Sequence, residues 1–282
     1  MFGSHSIRVK HRHSKVLALS AFVACAVLAT ERNFNILPEL FAGAQSDEAV
    51  RILTWPRAVV TGASRNHEAT LVSFLQNFHK NNRESIPLVV YDLGLSSPSL
   101  TSIQQQYPWA TIRRFDYASY PKFFDIDKAQ GEYAWKPVII KEMLDTTASV
   151  VLWLDSGDKL THPDSLTNVL QSITRNGYFT TETSGTVANW VHPGMLRYLE
   201  YSDEQKPMCN GAIVGFNIDS PHIYEEVVLP WARCALDRAC IAPKGSSRAN
   251  HRQDQSALTV LLHMTGRNCS FKADIALHTD ID

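Results

Sequence analysis

A chain of 282 residues, 44% of them hydrophobic, can bury a sizeable core and suits one large α/β domain with appendages. Its net charge of −1 removes any global basic field, so the composition argues against nucleic acid as a partner. No Cys-x-x-Cys occurs among the five cysteines, which argues against a zinc site.

The chain opens on a basic segment, residues 1–15, carrying Arg8, Lys10, Arg12 and Lys15. An uncharged apolar run of 15 residues follows, 16–30, short of the roughly 20 that span an average bilayer. Charged flank and apolar run together are laid out as a signal anchor or a signal peptide. The expected topology is a type II anchor in the Golgi or endoplasmic reticulum membrane with the rest of the chain lumenal; a cleaved signal and a secreted protein is the alternative. Residues 31–56, with Pro38, Gly43, Gln45, Ser46 and Asp47, read as a stem because nothing periodic survives there.

Strand and helix signals alternate from residue 57 to 282, the expected main domain. Strands are expected at 57–62, 87–92 and 111–115, with helices at 68–79 and 99–107 between them. The first helix carries Leu71, Phe74, Leu75 and Phe78 at helical spacing. Residues 136–144 form a helix with Pro137 in its first turn, where its missing donor does no harm. Residues 150–154, Val-Val-Leu-Trp-Leu, lack polar alternation and so suit a strand buried on both faces, which belongs to a helix-covered parallel sheet. Helix 165–173, an extended 178–181, a buried run 212–216 and helices 222–236 and 253–264 complete the pattern. Alternation of this kind implies an α/β fold with a mostly parallel, doubly wound sheet in a single domain.

Ligands of such sheets bind outside the carboxyl ends of the strands. Asp155 and Asp158, just past 150–154, are therefore candidate oxygen ligands for magnesium or manganese, although Asp and Gly at a strand end are also ordinary turn chemistry. Downstream of Cys25, four cysteines allow three connectivities. The short Cys234-to-Cys240 loop favours that pair and leaves Cys209 with Cys269, while four free thiols in a cytosolic protein stay open. Asn268-Cys-Ser270 is a glycosylation sequon.

Four segments together resemble a family. They are Tyr133-Ala-Trp-Lys-Pro137, Trp153-Leu-Asp-Ser-Gly-Asp158, Cys209-Asn-Gly-Ala-Ile-Val-Gly-Phe216 and His251-Arg-Gln-Asp-Gln-Ser256. Their order resembles the nucleotide-diphospho-sugar transferases of the GT-A fold, of the retaining, glycogenin-like type. The resemblance implies transfer of a hexose or pentose from a nucleotide-diphosphate sugar to a glycan or glycoprotein acceptor, with Mn2+ or Mg2+ as cofactor. It implies that Asp254, Gln255 and Asn210 act on the donor sugar and acceptor. Asp92, Lys136, Asp155, Gly211, His251 and Arg252 would hold the nucleotide and its diphosphate, and Asp155, Asp158 and His278 the metal. Lys141 and the faces of Trp135, Trp153 and Trp190 are further candidates. The usual Asp-x-Asp is absent, because position 157 is Gly and the second acid comes at Asp158. That departure keeps open a non-catalytic lumenal protein of the same fold. A phosphatase of the haloacid-dehalogenase type needs an acid where Gly157 stands, and no Gly-x-Ser-x-Gly marks a serine hydrolase.

Overall fold

The computed structural model describes residues 55–269 and 271–277, all within one compact unit, Arg51–Asp282. The run 16–30 and His278 lie outside the described residues, and no helix among the described residues is long and apolar enough to cross a membrane.

In chain order the main elements are β1 (Trp55–Ala63), α1 (Glu68–Asn81), β2 (Leu88–Asp92), α2 (Ser97–Gln106), β3 (Thr111–Arg114), α3 (Trp135–Thr146), β4 (Ala148–Leu154), β5 (Lys159–Leu160) and α4 (Ser165–Asn176). There follow β6 (Tyr178–Thr186), β7 (Pro207–Asn217), α5 (Leu229–Leu236), α6 (Gln253–Met264) and β8 (Ile275–Ala276). Six strands form one sheet in the order β3-β2-β1-β4-β7-β6. The pairs β1·β2, β2·β3 and β1·β4 are parallel, whereas β7 runs antiparallel to both β4 and β6. The expected mostly parallel sheet is therefore present, with an antiparallel flank that an apolar run such as 212–216 does not announce.

Helices cover both faces, which is why β4 carries no polar alternation. Val151 and Trp153 point into the cluster built with Ile139, Met143, Phe216 and Trp231 from α3, β7 and α5. Val150, Leu152 and Leu154 point into the opposite cluster with Leu71, Phe74 and Phe78 of α1 and Leu166, Val169 and Ile173 of α4. Gly215 of β7 faces Ile173, whose side chain fills the space that a Cβ there would need.

Several boundaries differ from expectation. Trp55 and Pro56, placed in the stem, already pair in β1. The expected helix 222–236 is a π-helical turn over Tyr224–Val228 followed by α5, the change falling just before Pro230, which cannot donate to the preceding turn. The short β5 and β8, which pair with each other, carried no sequence signal. Both expected disulfides are present, Cys209–Cys269 and Cys234–Cys240.

Because β7 runs against β4 and begins beyond it, the end of β4 lies beside the middle of β7. Their register sets Leu154 opposite Ile213, so the chain leaving the C-terminal end of β4 at Asp155 meets β7 at Gly211 and Ala212, the Asp155 N–H donating to the Ala212 carbonyl. The ends of β1, β2 and β4 open on that same edge.

Candidate functional site

A pocket of about 320 Å³ lies at this edge. Its wall is built from Gly62 and Ala63 at the end of β1 with Ser64, Asn66 and His67 after it, Tyr133, Trp135 and Lys136 around the start of α3, Asp155 to Gly157, Gly211 and Ala212, Arg248, and Asp254 and Gln255 of α6. At its floor sits Lys136, with a side chain only 4% exposed. Its ammonium donates to Asp155 Oδ1 at 2.9 Å and to the Gly211 carbonyl at 2.8 Å, and it faces Asp254 Oδ2 at 3.5 Å. Burial alone would lower the Lys136 pKa, but the carboxylates of Asp155 and then Asp254 outweigh it and hold the group above its ordinary value. Lys136 is thus a fixed internal cation that ties two acids together, and the phosphate partner expected for it is replaced by protein acceptors.

Asp155 Oδ1 also accepts from Trp153 Nε1 at 2.6 Å. Its side chain is 26% exposed, and among the described residues no hydrogen-bond donor meets Oδ2. Asp254 is different. It is buried, its Oδ2 meets the Lys136 ammonium only at ion-pair distance and has no hydrogen-bond partner among the described residues, and burial raises its pKa despite Lys136. An orphaned acceptor aimed at a pocket wall is a place for a ligand donor. Beside it, Gly211 leaves room for close approach, since a Cβ there would lie 3.0 Å from Gln255 Cβ and 3.5 Å from Asp254 Oδ2.

Asp254 is not the cap of α6, whose N-cap is Arg252; it lies in the first turn, where a carboxylate still complements the helix dipole. Gln253, just before it, holds a left-handed φ of 35°. The neighbouring wall is more unusual. Ala129 to Tyr133 all have φ between 48° and 61°, a left-handed turn that costs on the order of 1–2 kcal/mol for each non-glycine residue. Gly131 is required within it, because a Cβ would collide with the Phe124 carbonyl. Such strain persists only where packing over-determines it. Here Trp135 Nε1 donates to the Gln130 carbonyl and Gln253 Nε2 to Glu132.

The structure gathers Trp135, Lys136, Asp155, Gly211, Asp254 and Gln255 in one pocket and leaves the other described candidates outside it. Asp158 is fully buried and turned back, its Oδ2 accepting from the Asp155 backbone N–H, so it shapes the turn and does not face the pocket. Asn210 caps its own turn through Ala212 N. Asp92 holds the loop after β2 through Gly94 N and Leu95 N, and lines a separate cleft of about 670 Å³ that shares Leu93 and Ile126 with the pocket. Lys141 pairs with Asp145 on the far side of α3. Trp153 is core, and Trp190 carries Arg252, whose guanidinium carbon lies 3.9 Å from the ring centre; only Trp135 of the three tryptophans lines the pocket.

His251, expected to meet phosphate from an exposed loop, is fully buried. Its Nδ1 accepts from His192 N and its Nε2–H faces the Ile241 carbonyl. Burial, which disfavours the charged ring, pushes its pKa down to about 4, and the neighbouring His192 adds to the effect. The unfolded chain then binds the proton more readily than the folded one between about 6.5 and 4, and stability falls as pH drops through that window. We expect acidification from pH 7.5 to 5 to cost about 2 kcal/mol through this residue. Urea unfolding at the two pH values should show His251→Gln, less stable at neutral pH, losing correspondingly less; an equal loss would remove His251 from the acid response.

The basic residue of this loop that does reach the pocket is Arg248, four positions before Arg252. It sits over the Tyr133 ring at 5.0 Å and donates to Gln253 Oε1 at 3.4 Å, and among the described residues no carboxylate pairs with it. No sequence signal separates it from Arg252.

The acids here do not form a ready-made metal cage; among the described residues, the one cluster of three candidate ligands is Cys209, His263 and Cys269, where both sulfurs are in the disulfide. Hard cations such as magnesium, however, are commonly held by one or two carboxylates together with substrate phosphates and water. Asp155, with an oxygen left toward the pocket, fits that mode; Asp158 does not.

Residues 25–141 match a family described as a protein of unknown function (DUF1647), under half of the chain. No curated protein sequence matches. Among solved structures, the chain is similar to the WbbM bifunctional glycosyltransferase, at 13% identity and a TM-score of 0.49, over 81% of this chain and 40% of that one. It is also similar to a mannosyltransferase from Pyrobaculum calidifontis in complex with GDP-Man and Mn2+, at 12% identity and a TM-score of 0.44, over 89% of this chain and 61% of that one. Core-mannan synthase A from Aspergillus fumigatus, in a Mn/GDP form, matches at 10% identity and a TM-score of 0.47, over 77% and 71% of the two chains. The chain thus spans less than two thirds of the first two. What the pocket can do rests on its own residues.

Proposed function

We propose that the protein is a glycosyltransferase that moves a sugar from a nucleotide-diphosphate sugar to a glycan or glycoprotein acceptor, in the lumen of the secretory pathway. The observation that carries this reading is the meeting, in one pocket at the carboxyl edge of the sheet, of a buried orphan carboxylate oxygen with a guanidinium that no described carboxylate neutralises. Asp254 Oδ2 accepts from a sugar hydroxyl and Gln255 supplies a second polar contact, which together orient the donor sugar. Gly211 lets the sugar lie against the backbone. Arg248 meets the diphosphate, and the segment after β1 takes the nucleoside side. Asp155 would hold a manganese or magnesium ion, which when bound supplies positive charge against the departing nucleotide. Lys136 keeps Asp155 and Asp254 at fixed separation, so that the carboxylates do not have to be organised when substrate arrives. The two disulfides and the basic-then-apolar N-terminal sequence support the lumenal placement, and an uncleaved run 16–30 would supply the membrane attachment.

Because Asp155 is the one carboxylate assigned to the ion, Asp254 being assigned to the sugar, the ion and the nucleotide should depend on each other. Manganese alone is expected to leave the melting temperature unchanged. A matching nucleotide-diphosphate sugar with manganese, at a hundred times its dissociation constant, should add about 2.7 kcal/mol of stability. A panel of donors followed by thermal unfolding and by donor hydrolysis decides the matter. Failure of every donor to shift the midpoint would sink the transferase reading, and binding without turnover would favour a non-catalytic sugar-nucleotide-binding protein, the reading that the turned-back Asp158 supports.

A further inference from the structure

The last described residues run as a strap from the end of α6 along the edge strand β6 to β5. Asn268 N donates to Tyr178 OH, and Cys269 is bonded to Cys209. Phe271 bridges to Thr181 and stacks on Phe179 at 5.2 Å. Ile275 and Ala276 then pair with Leu160 and Lys159, and Thr161 N donates to the Asp274 carbonyl. The strap therefore ends on the strand that comes directly after Asp155 to Asp158. Its covalent anchor, Cys209, is the residue before Asn210 and Gly211 on the opposite wall of the pocket. The bridge thus links the segment before Gly211 to the segment after Asp158.

Besides the bridge, the strap is held by Phe271 against Tyr178 and Phe179, by Ile275 in the core and by Thr161 donating to the Asp274 carbonyl. Residues 271–277 are mostly half-buried or exposed, and its pairing with β5 covers two residues. A two-residue ladder does not persist unaided. By contrast, Cys234–Cys240 closes a short loop at the end of α5 and reaches neither wall.

We propose that the Cys209–Cys269 bridge positions the Asp155–Asp158 turn through this strap, so that the donor site is assembled while the bridge is closed and loosened when it opens. The statement about donor binding rests on the function proposed above; the statement about the turn does not. Opening by a small dithiol is a balanced exchange: the protein S–S bond breaks, the reductant closes its own disulfide, and its two thiol protons pass to the sulfurs of Cys209 and Cys269.

The test compares the Cys209→Ala/Cys269→Ala protein with Cys234→Ala/Cys240→Ala at a temperature where both are folded. Two quantities are read: amide exchange of the 155–161 peptide, and affinity for a nucleoside diphosphate with manganese. Loss of the Cys209–Cys269 bridge should raise exchange in that peptide by about tenfold or more, without a matching rise in β1 or β4. Affinity should fall by a similar factor, while loss of the other bridge leaves both near the parent values. Exchange of 155–161 unchanged, or raised equally by either pair, overturns the proposal. If the bridged parent binds no nucleoside diphosphate, the donor-site reading fails and the exchange data still decide the strap. If the double variant does not fold, the same peptide is followed in the parent treated with dithiol, where the same increase is expected.

Discussion

Lys136→Ala is expected to lower the unfolding free energy by about 3–5 kcal/mol, the range for removing one partner of a buried ion pair. The parent ammonium serves Asp155, Gly211 O and Asp254 at once, with its own side chain almost entirely buried. Without it, Asp254 is left fully buried with no cation in contact. The variant has a pH signature of its own. Burial already raises the Asp254 pKa from 3.8, and losing Lys136 raises it further. The folded variant then holds a proton that the unfolded chain gives up above about 3.8, so its stability must fall as pH rises from there and recover on acidification. Urea unfolding of Lys136→Ala at pH 5 and 7, corrected for the parent's own pH response, should show part of the loss regained at the lower value. A loss that is the same at both would mean that the cost is packing and not charge.

Asp254→Asn should separate function from stability. Because the pocket disfavours the ionised form, replacing the carboxylate by a neutral amide of the same shape is expected to be near neutral or mildly stabilising, its carbonyl oxygen still able to face Lys136. Turnover should nevertheless drop. A hydrogen bond to a charged group is worth about 1.5–3 kcal/mol, which is on the order of ten- to a hundredfold in rate when it forms mainly in the transition state. Steady-state donor hydrolysis together with a denaturation curve tests the pair of effects. A variant with parental turnover would confine Asp254 to anchoring Lys136.

Lys136 and Asp254 differ in how far the sequence discloses them. Asp155, Asp254, Gln255 and Gly211 are legible because strand ends, glycines and helix starts are marked in sequence, and their order adds weight that no single motif has. The sheet is legible from buried runs such as 150–154, and α1 from its apolar spacing. The partner of Lys136 is not. A lysine ahead of a helix proline invites a phosphate, and only the fold reveals that two acids, 19 and 118 positions away, consume the charge first. His251 and Arg252 mislead for a related reason. They share a loop with Arg248, and which of three basic residues faces inward depends on backbone angles such as that of Gln253, not on residue type. The left-handed turn Ala129–Tyr133 leaves no trace either, since four of its five residues have side chains that ordinarily avoid that conformation.

The Gly215–Ile173 contact bears on how this chain can change length. Along β7, Ile213 belongs to one core and Val214 and Phe216 to the other, and Gly215 is the position where the helix α4 side leaves no volume. An insertion or deletion of one residue between Gly211 and Gly215 would exchange the two faces, because side chains alternate with period two. Val214 or Phe216 would then be driven onto Ile173, and the carbonyl offered to Lys136 would belong to a different residue. Sequence drift in this strand is therefore confined to substitution, while additions and losses of residues must accumulate in connections such as 200–206, where the chain runs over the surface.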